Sequence, residues 1–590
     1  MPDPIETGAV APFAMDTAAA APPAVPRKSA LAIVGTIALV VVAWVGLELW
    51  GLGRAPFHTK GEPREGLVVW QMTHQGSWIL PRRDGPTGME VPSKPPLFHW
   101  LGAITSLLHG STDEWSIRFP SAALSLAAVL CVLYGGTALW SPRAGLCAAL
   151  ALMTMFEWAR ASTGARVDMT LTFGLQLALL SLLFFFRDRV ASWLIPLYAG
   201  IAVAVLGKGP VGVVLPALVA LVMVAMARDL GALRQMRLAR GALAVGVVAG
   251  SWYVMALIAG GWQFFYKQVL AENIFTFLES QKFGGGHRHP VVYLLGGLLL
   301  GVLPWTTFLP GVAARCWRQR REITLGDARV YLLVWIVVVF GFYSLAASKR
   351  SVYLLSLYPA IALLLGWWAD VQSQAPPEQE RWLARAVSAV GWVLLATVSF
   401  VLAVVLIESA GVPILLAMKG WLPGAVQHYV PWVSETVRGG RWMLIGLFAV
   451  AVAALYGCVR AAAAAYWKGI FAGVFSAATA LILAVNLVIL PGIAAHESRR
   501  SFIAAVRAVL RPGHELFFYR TFEYDAVFYW QEHIPIYEGP WPDGAPRYLL
   551  MERGDWERMR PEAGDRYEQV IFTDGKAAES ALVLIQRTGR

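Results

Sequence analysis

The sequence predicts an α-helical polytopic membrane protein, with about thirteen transmembrane helices and a small C-terminal α/β domain. Three observations carry that reading. Of 590 residues, 57% are hydrophobic and only 15% charged, and the mean hydropathy is +0.56; a soluble chain is nearer a quarter charged. Uninterrupted apolar runs recur at about 20 residues, enough to cross a ~30 Å hydrocarbon core as helix. The net charge is +11, yet the basic residues collect in alternate short gaps between runs. That is the positive-inside pattern of a membrane protein, not a nucleic-acid groove, so no nucleic-acid partner is expected.

Taken in order, residues 1–26 are Ala/Pro-rich without periodicity and read as a disordered cytoplasmic tail. Residues 27–492 form the membrane domain. Its first span, Leu31–Trp50, is too long for a signal-peptide core and is expected to stay as a helix. Further spans fall near 118–139, 144–161, 168–186, 191–206, 210–227, 241–260, 291–313, 330–347, 352–369, 386–408, 441–459 and 469–492. Arg143, Arg187, Arg189, Arg228, Arg240, Arg315, Arg329, Arg381, Arg460 and Lys468 mark the cytoplasmic gaps. The opposite face then holds the long loops 52–117 and 261–290 and the short turns near 162–167, 207–209 and 348–351. An odd span count puts residues 493–590 outside as well. There, short apolar runs alternate with polar pieces and with a helical stretch at Ser501–Leu510, predicting an α/β domain of four or five strands. Cys131, Cys147, Cys316 and Cys458 fall in spans or on the cytoplasmic side, which implies neither a disulfide nor a metal site.

The loop from Lys60 to Leu101 is the stretch the chain is organised around. It is polar and punctuated by Pro and Gly, yet it carries Trp70, Trp78, Phe98 and Trp100. Long connections are usually functional or disordered, and this aromatic content argues for folding. Pro63 suits the first turn of one helix, and Pro95–Pro96 open a second. Two short amphipathic helices at the bilayer surface are predicted.

Ionisable residues at the outer ends of spans are costly in lipid and stand as functional candidates. Glu62 and Glu65 share a helix face at i, i+3 spacing, although acids also favour a helix N-terminus. Arg166 and Asp168 open the fourth span, where Asp168 also suits a cap. Lys208 lies in a Gly-Lys-Gly-Pro turn whose amides and charge suit a phosphate, or it snorkels at the interface. Lys349 and Arg350 put paired cations on the outer face, against the charge trend, which a lipid-linked phosphate would explain. In the second loop Glu272 and Asn273 precede an aromatic stretch and a Gly-rich piece with His287 and His289, read as substrate-touching groups on a hinge rather than metal ligands. Acids, phosphate-seeking cations and a lid-like loop on one face suit displacement at a lipid phosphate. The residues alone do not say that the transferred group is a sugar.

The segments GEPREG (61–66), SWILPR (77–82), KPPLFHWL (94–101), RFPSA (118–122), VDMTLTF (167–173), GKGPVG (207–212), Glu272–Asn273, LPW (303–305) and SKRSVYLLSLYPA (348–360) occur in one order on one face. In that order they resemble bacterial GT-C glycosyltransferases of the protein-mannosyltransferase and lipid A aminoarabinose-transferase type. The resemblance covers about Leu31 to Leu365 and makes 27–492 a transmembrane catalytic domain. It implies an inverting transfer from a polyprenyl (undecaprenyl) phosphate sugar to a periplasmic lipid, glycan or protein, in the inner membrane, by a monomer without a cofactor. Lys94, Lys208, Lys349 and Arg350, with Arg166 and Tyr353 beside them, would meet donor phosphate or sugar, and Asp168 would be a structural or catalytic acid.

The departures bear on the chemistry. Gly61 stands where the family has its favoured Asp, Glu65 where it has Tyr, Ser93 where it has Glu, and Asn273 where it has His. The last two substitutions remove metal-binding groups, so no zinc is expected. The base is expected to be Glu62, with Glu65 second. The sugar or the acceptor should differ from that of a true aminoarabinose transferase. A transporter or flippase of polyprenyl-linked glycans, or a non-catalytic binder of them, is the competing class. A transporter would carry mid-span charges and an internal repeat, and neither is evident.

Overall fold

The structure, a computed structural model, describes residues 27–86, 88–278, 289–322, 324–376, 380–510, 514–572 and 581–588. The expected 1–26 tail and His287 lie outside them. Every predicted span is helical. Among the described residues, nine helices are long and apolar enough to cross a membrane. A tenth is a pair, Val291–Gly301 and Trp305–Arg318, bent by 100°. Three shorter apolar helices, Ile33–Leu49, Pro142–Thr154 and Val211–Ala227, fill the remaining predicted places.

Helix α1 (Arg27–Trp44) ends in a π-helical turn, Val45–Leu49. The first loop then folds as predicted into α2 (Gly61–Gln75) and α3 (Leu97–His109). Between them the hairpin β1 (Arg83–Gly85) and β2 (Gly88–Glu90) pairs antiparallel, which the sequence reading did not anticipate. Helix α4 (Glu114–Leu139) starts at a capping box. Asp113 accepts from the Ser116 amide at 2.9 Å, and the Ser116 hydroxyl accepts from the Asp113 amide at 3.0 Å. The span predicted at 144–161 is broken at Met155 into α5 (Pro142–Thr154) and α6 (Phe156–Ser162).

Helices α7 (Asp168–Asp188) and α8 (Leu194–Lys208) pack antiparallel, backbone against backbone. Small residues four apart on each helix permit this. A Cβ on Gly174 would stand 2.5 Å from the Ala204 amide nitrogen, and one on Gly200 would stand 2.6 Å from that of Ala178. The start of α7 is thereby set beside the end of α8. Gly209 then turns the chain into α9 (Val211–Ala227) with φ +89°, a conformation glycine adopts at little cost.

The second long loop departs from expectation. Residues 261–278 are not open loop. The helix carries on through a kink at Gly261 (φ 53°, ψ −141°) and a π-helical stretch, Phe265–Phe275. Only glycine takes that kink readily, so the hydropathy drop at this point marks a bend rather than an end.

Beyond the last span, helix Arg500–Val509 leads into a five-stranded sheet: β3 (Leu516–Tyr519), β4 (Ile536–Tyr537), β5 (Tyr548–Glu552), β6 (Tyr567–Phe572) and β7 (Leu582–Arg587). The strand order is β4-β3-β5-β7-β6, with β3 parallel to both neighbours and the other pairs antiparallel. This sheet shares one apolar core with the first loop: Leu67, Val68 and Phe98 pack with Phe502, Phe518 and Phe528.

Candidate functional site

The α7–α8 packing joins two predicted residues into an ion pair, with Lys208 donating to Asp168. The Lys208 ammonium also lies 4.4 Å over the Tyr353 ring. Arg166 and Lys94 add their fields at Asp168. Lys94 in turn pairs with Glu272 at 2.8 Å. Gln268 holds the two loops together by donating to the carbonyls of Pro92 and Lys94, at 2.7 and 3.0 Å. Asn273 donates to the Gln268 carbonyl, and its side-chain oxygen lies 3.0 Å from where a Cβ on Gly209 would stand. Six sequence-chosen residues (Lys94, Arg166, Asp168, Lys208, Glu272 and Tyr353) therefore form one cluster, with Asn273 at its edge. Lys349 donates to the Ala346 carbonyl at 2.7 Å, in the turn leading to Tyr353, and Arg350 beside it is exposed. His289 stacks on Tyr293, ring centroids 4.1 Å apart.

Glu62 and Glu65 stand outside this cluster in pairs of their own. Arg118 grips Glu62 with two hydrogen bonds, at 2.8 and 3.1 Å, and the Ala165 amide donates to it at 3.1 Å. Burial works against ionisation of Glu62, but Arg118 outweighs it, and the carboxyl titrates below the usual carboxylate range. Arg118 also donates to the carbonyls of Leu52 and Ala55. The pair thus fastens the first loop to α4. Glu65 is held by Arg64 at 3.0 Å and by His99 Nε2 at 2.7 Å. Burial resists ionisation there too, and Arg64 with His99 overrides it, so the carboxyl lies well below its ordinary value.

Sequence reasoning gave no role to Arg64, His99, Arg118 or Arg160. Arg118 and Arg64 lay inside the quoted motifs, and a lone arginine at the start of a span was the available signal. Arg160 pairs with Glu157 at 2.9 and 2.5 Å, and its field reaches Asp168. Nothing in the sequence marked it out.

Two cavities lie near these residues. One, about 630 Å³, is an apolar groove among α8, α9 and the helix beginning at Leu238, lined by Val205, Pro210, Pro216, Leu233, Gly241 and Tyr253. At its head the Tyr253 hydroxyl, without a hydrogen-bond partner among the described residues, stands 3.4 Å from where a Cβ on Gly209 would be. The other cavity, about 420 Å³, is bordered by Glu62, Arg118, Arg160 and Arg166.

An apolar groove reaching Pro210, a lysine–aspartate cluster in the adjoining turn and a folded loop, within this helix order, define a multi-pass membrane protein of the GT-C fold. Structural comparison agrees: ArnT from Cupriavidus metallidurans, solved bound to undecaprenyl phosphate, superposes with a TM-score of 0.69 over 95% of this chain and 99% of that one, at 19% identity.

The particular relatives follow from sequence. The family model for dolichyl-phosphate-mannose-protein mannosyltransferase matches residues 93–254. The undecaprenyl phosphate-α-4-amino-4-deoxy-L-arabinose arabinosyl transferase of Pectobacterium atrosepticum is 28% identical over 60% of this chain and 62% of its own length. Its counterpart from Aeromonas salmonicida is 27% identical over 53% of this chain and 56% of its own length. The chain thus spans less than two thirds of the length of these curated relatives. The chain is similar to proteins of the protein-mannosyltransferase and aminoarabinose-transferase type, as its motifs suggested.

Proposed function

We propose that the chain is an inverting glycosyltransferase of the bacterial inner membrane that moves a sugar from an undecaprenyl phosphate carrier to an acceptor hydroxyl on the periplasmic face. The observations that carry this are the apolar groove that reaches Pro210 and Tyr253, and the Lys208–Asp168 pair, whose lysine lies in the turn just before Pro210. A polyprenyl tail matches the groove, and a phosphate matches the ammonium of Lys208 in the turn beside Pro210. The relatives named for undecaprenyl phosphate-linked aminoarabinose support the donor class.

In this reading Lys208, joined by Lys94, Lys349 and Arg350, holds the donor phosphate. Lys208 exchanges Asp168 for that phosphate and leaves Asp168 as a carboxylate beside the anomeric carbon. Asp168 takes the proton of the acceptor hydroxyl, whose oxygen bonds to the anomeric carbon. The carbon–phosphate oxygen bond breaks, and its electron pair stays on polyprenyl phosphate, neutralised by the cations. Glu62 is the weaker choice of base, because its Arg118 pairing lowers its proton affinity; it serves to position the loop. No resident cofactor is required by this scheme.

The test is release of undecaprenyl phosphate by the purified chain. It uses a panel of radiolabelled undecaprenyl-phosphate sugars and a membrane extract as acceptor source. Release is expected with one sugar, falling ~10²–10⁴-fold in Asp168→Asn and disappearing in Lys208→Ala. Donor binding without release across the panel would indicate a carrier or binder instead. Near-full turnover in Asp168→Asn, with turnover lost in a stable Glu62→Gln, would return the base to Glu62.

A further inference from the structure

The connection between the spans Arg381–Ser409 and Arg441–Ala463 is built unlike a water-facing loop. Between Glu408 and Glu435 it carries one charged side chain, Lys419. It folds as a short helix, Ile414–Met418, a 3-10 turn, Lys419–Trp421, a second short helix, Gly424–Gln427, and a longer one, Val430–Gly439. Its polarity is inverted. Glu408 is fully buried, held by the Ser434 hydroxyl at 2.5 Å, by Arg438 at 2.7 Å and by the Leu415 amide at 3.1 Å. The side chains turned outward are Val412, Leu416, Trp421, Leu422 and Val426, with Trp421 87% exposed.

A contiguous apolar patch on an outer surface marks a place where something binds. Three features say what binds here. The patch continues the lipid-facing sides of the two spans it joins: Leu406 and Ile407 precede it, Trp442 and Met443 follow it, and all four are exposed. Its backbone is satisfied from within. The amides of Ala417, Leu422, Val426 and Tyr429 donate to carbonyls three or four residues back, as the edge of the hydrocarbon demands and water does not. Its tip pairs Lys419 with Trp421, residue types that settle at headgroup level because each has an apolar body and a polar end.

The same connection grips the base of the tail. Trp432 stacks on His496, ring centroids 5.2 Å apart and planes within 7° of parallel. Thr436 packs so closely on Gly492 that a Cβ there would overlap its hydroxyl. Gly492 and His496 belong to helix Leu490–Glu497, which leads into the tail domain. We propose that residues 412–428 lie in the membrane surface, with the five outward side chains at the boundary of headgroups and acyl chains and Lys419 among the lipid phosphates, and that this contact holds the base of the tail at a fixed height over the bilayer. The partner is the lipid leaflet on the tail's side.

The test is spin labelling of the full-length chain in nanodiscs of phosphatidylglycerol and phosphatidylcholine, with Cys131, Cys147, Cys316 and Cys458 replaced by Ala. Single nitroxides go on Trp421→Cys, Leu422→Cys and Val426→Cys. The references are Val393→Cys, exposed on the preceding span, and Glu568→Cys, exposed on the tail. Collisions with oxygen, enriched in the bilayer, are compared with collisions with nickel-EDDA, confined to water. Oxygen should dominate at 421, 422 and 426, as at 393, and nickel at 568. Nickel-dominated collisions at 421 and 422 would put the segment in water and overturn the proposal. Few collisions with either reagent would overturn it too, by showing that protein covers the patch; spin–spin broadening relieved by unlabelled chain would identify that protein as a second copy. Anchoring is read by amide exchange in nanodiscs. Trp421→Asp should speed exchange of residues 490–497 at least about tenfold and leave strand Tyr548–Glu552, the check on folding, unchanged. Unchanged exchange at 490–497 would refute the anchoring.

Discussion

Glu62 and Asp168 show how one residue type is given two tasks by its surroundings. Glu62 is 5% exposed and gripped through both oxygens by a guanidinium that is itself buried, whereas Asp168 pairs with the single ammonium of Lys208, with Arg166 and Lys94 acting on it at longer range. Removing one partner of a buried pair of the first kind costs about 3–5 kcal/mol, because the other charge is left unpaired. These pairings also set an acid limit. Glu62 and Glu65 both have folded-state pKa values below the unfolded value of about 4.3. Their stabilisation is therefore complete above that value and drains away as the pH falls toward the depressed folded values. Thermal melting of the purified chain should be flat in these groups' contribution from pH 8 to 5 and drop steeply below about pH 4. In Glu65→Gln the acid-limb slope should be shallower. An unchanged acid limb would show that Glu65 adds nothing to it.

At the scale of elements, the site depends on two helices approaching without side chains between them. Asp168 and Lys208 are 40 residues apart in sequence, and they meet because Gly174, Ala178, Gly200 and Ala204 let α7 and α8 touch backbone to backbone. Gly200→Leu drives a side chain into the Gly174 carbonyl, 2.7 Å from the position of the new Cβ. Overpacking of this kind costs about 1–3 kcal/mol when the backbone can shift. Shifting the backbone separates the ends of the helices. The expected result is a folded but less stable chain that binds undecaprenyl phosphate at least about tenfold more weakly, read by native mass spectrometry and melting. Unchanged donor binding would mean that the pair is not set by this contact.

In the whole molecule, the tail and the first loop are one body. Tyr529 accepts from the Phe57 amide and donates to Glu114, both at 2.8 Å. His533 meets the buried Asp84 of β1 at 2.8 Å. The domain beyond the last span therefore braces the loop that carries Glu62 and Lys94. Tyr529→Phe should cost about 1–3 kcal/mol, because the Phe57 amide loses its partner in a largely buried place and Glu114 keeps only the longer bond from Arg500. If melting is unaffected, water has taken the place of the hydroxyl and the brace is the apolar core alone.

The legible part of this protein was what hydropathy and local chemistry write directly. The thirteen apolar places, the two loop helices after Pro63 and Pro95, and a tail of four or five strands were legible, with the far end of the 241–260 span the main misplacement, since each depends on its own periodicity. The membership of the Asp168–Lys208 cluster was legible too, because charge at a span end is costly enough to be conspicuous. What the residues could not reveal was partnership. Arg118 on Glu62, His99 on Glu65, the continuation of helix through Gly261, and the merging of loop and tail into one core all depend on contacts between distant segments. Tertiary structure decided which carboxylate is locked and which is labile, because a pairing energy belongs to two side chains at a distance and is written at neither position alone.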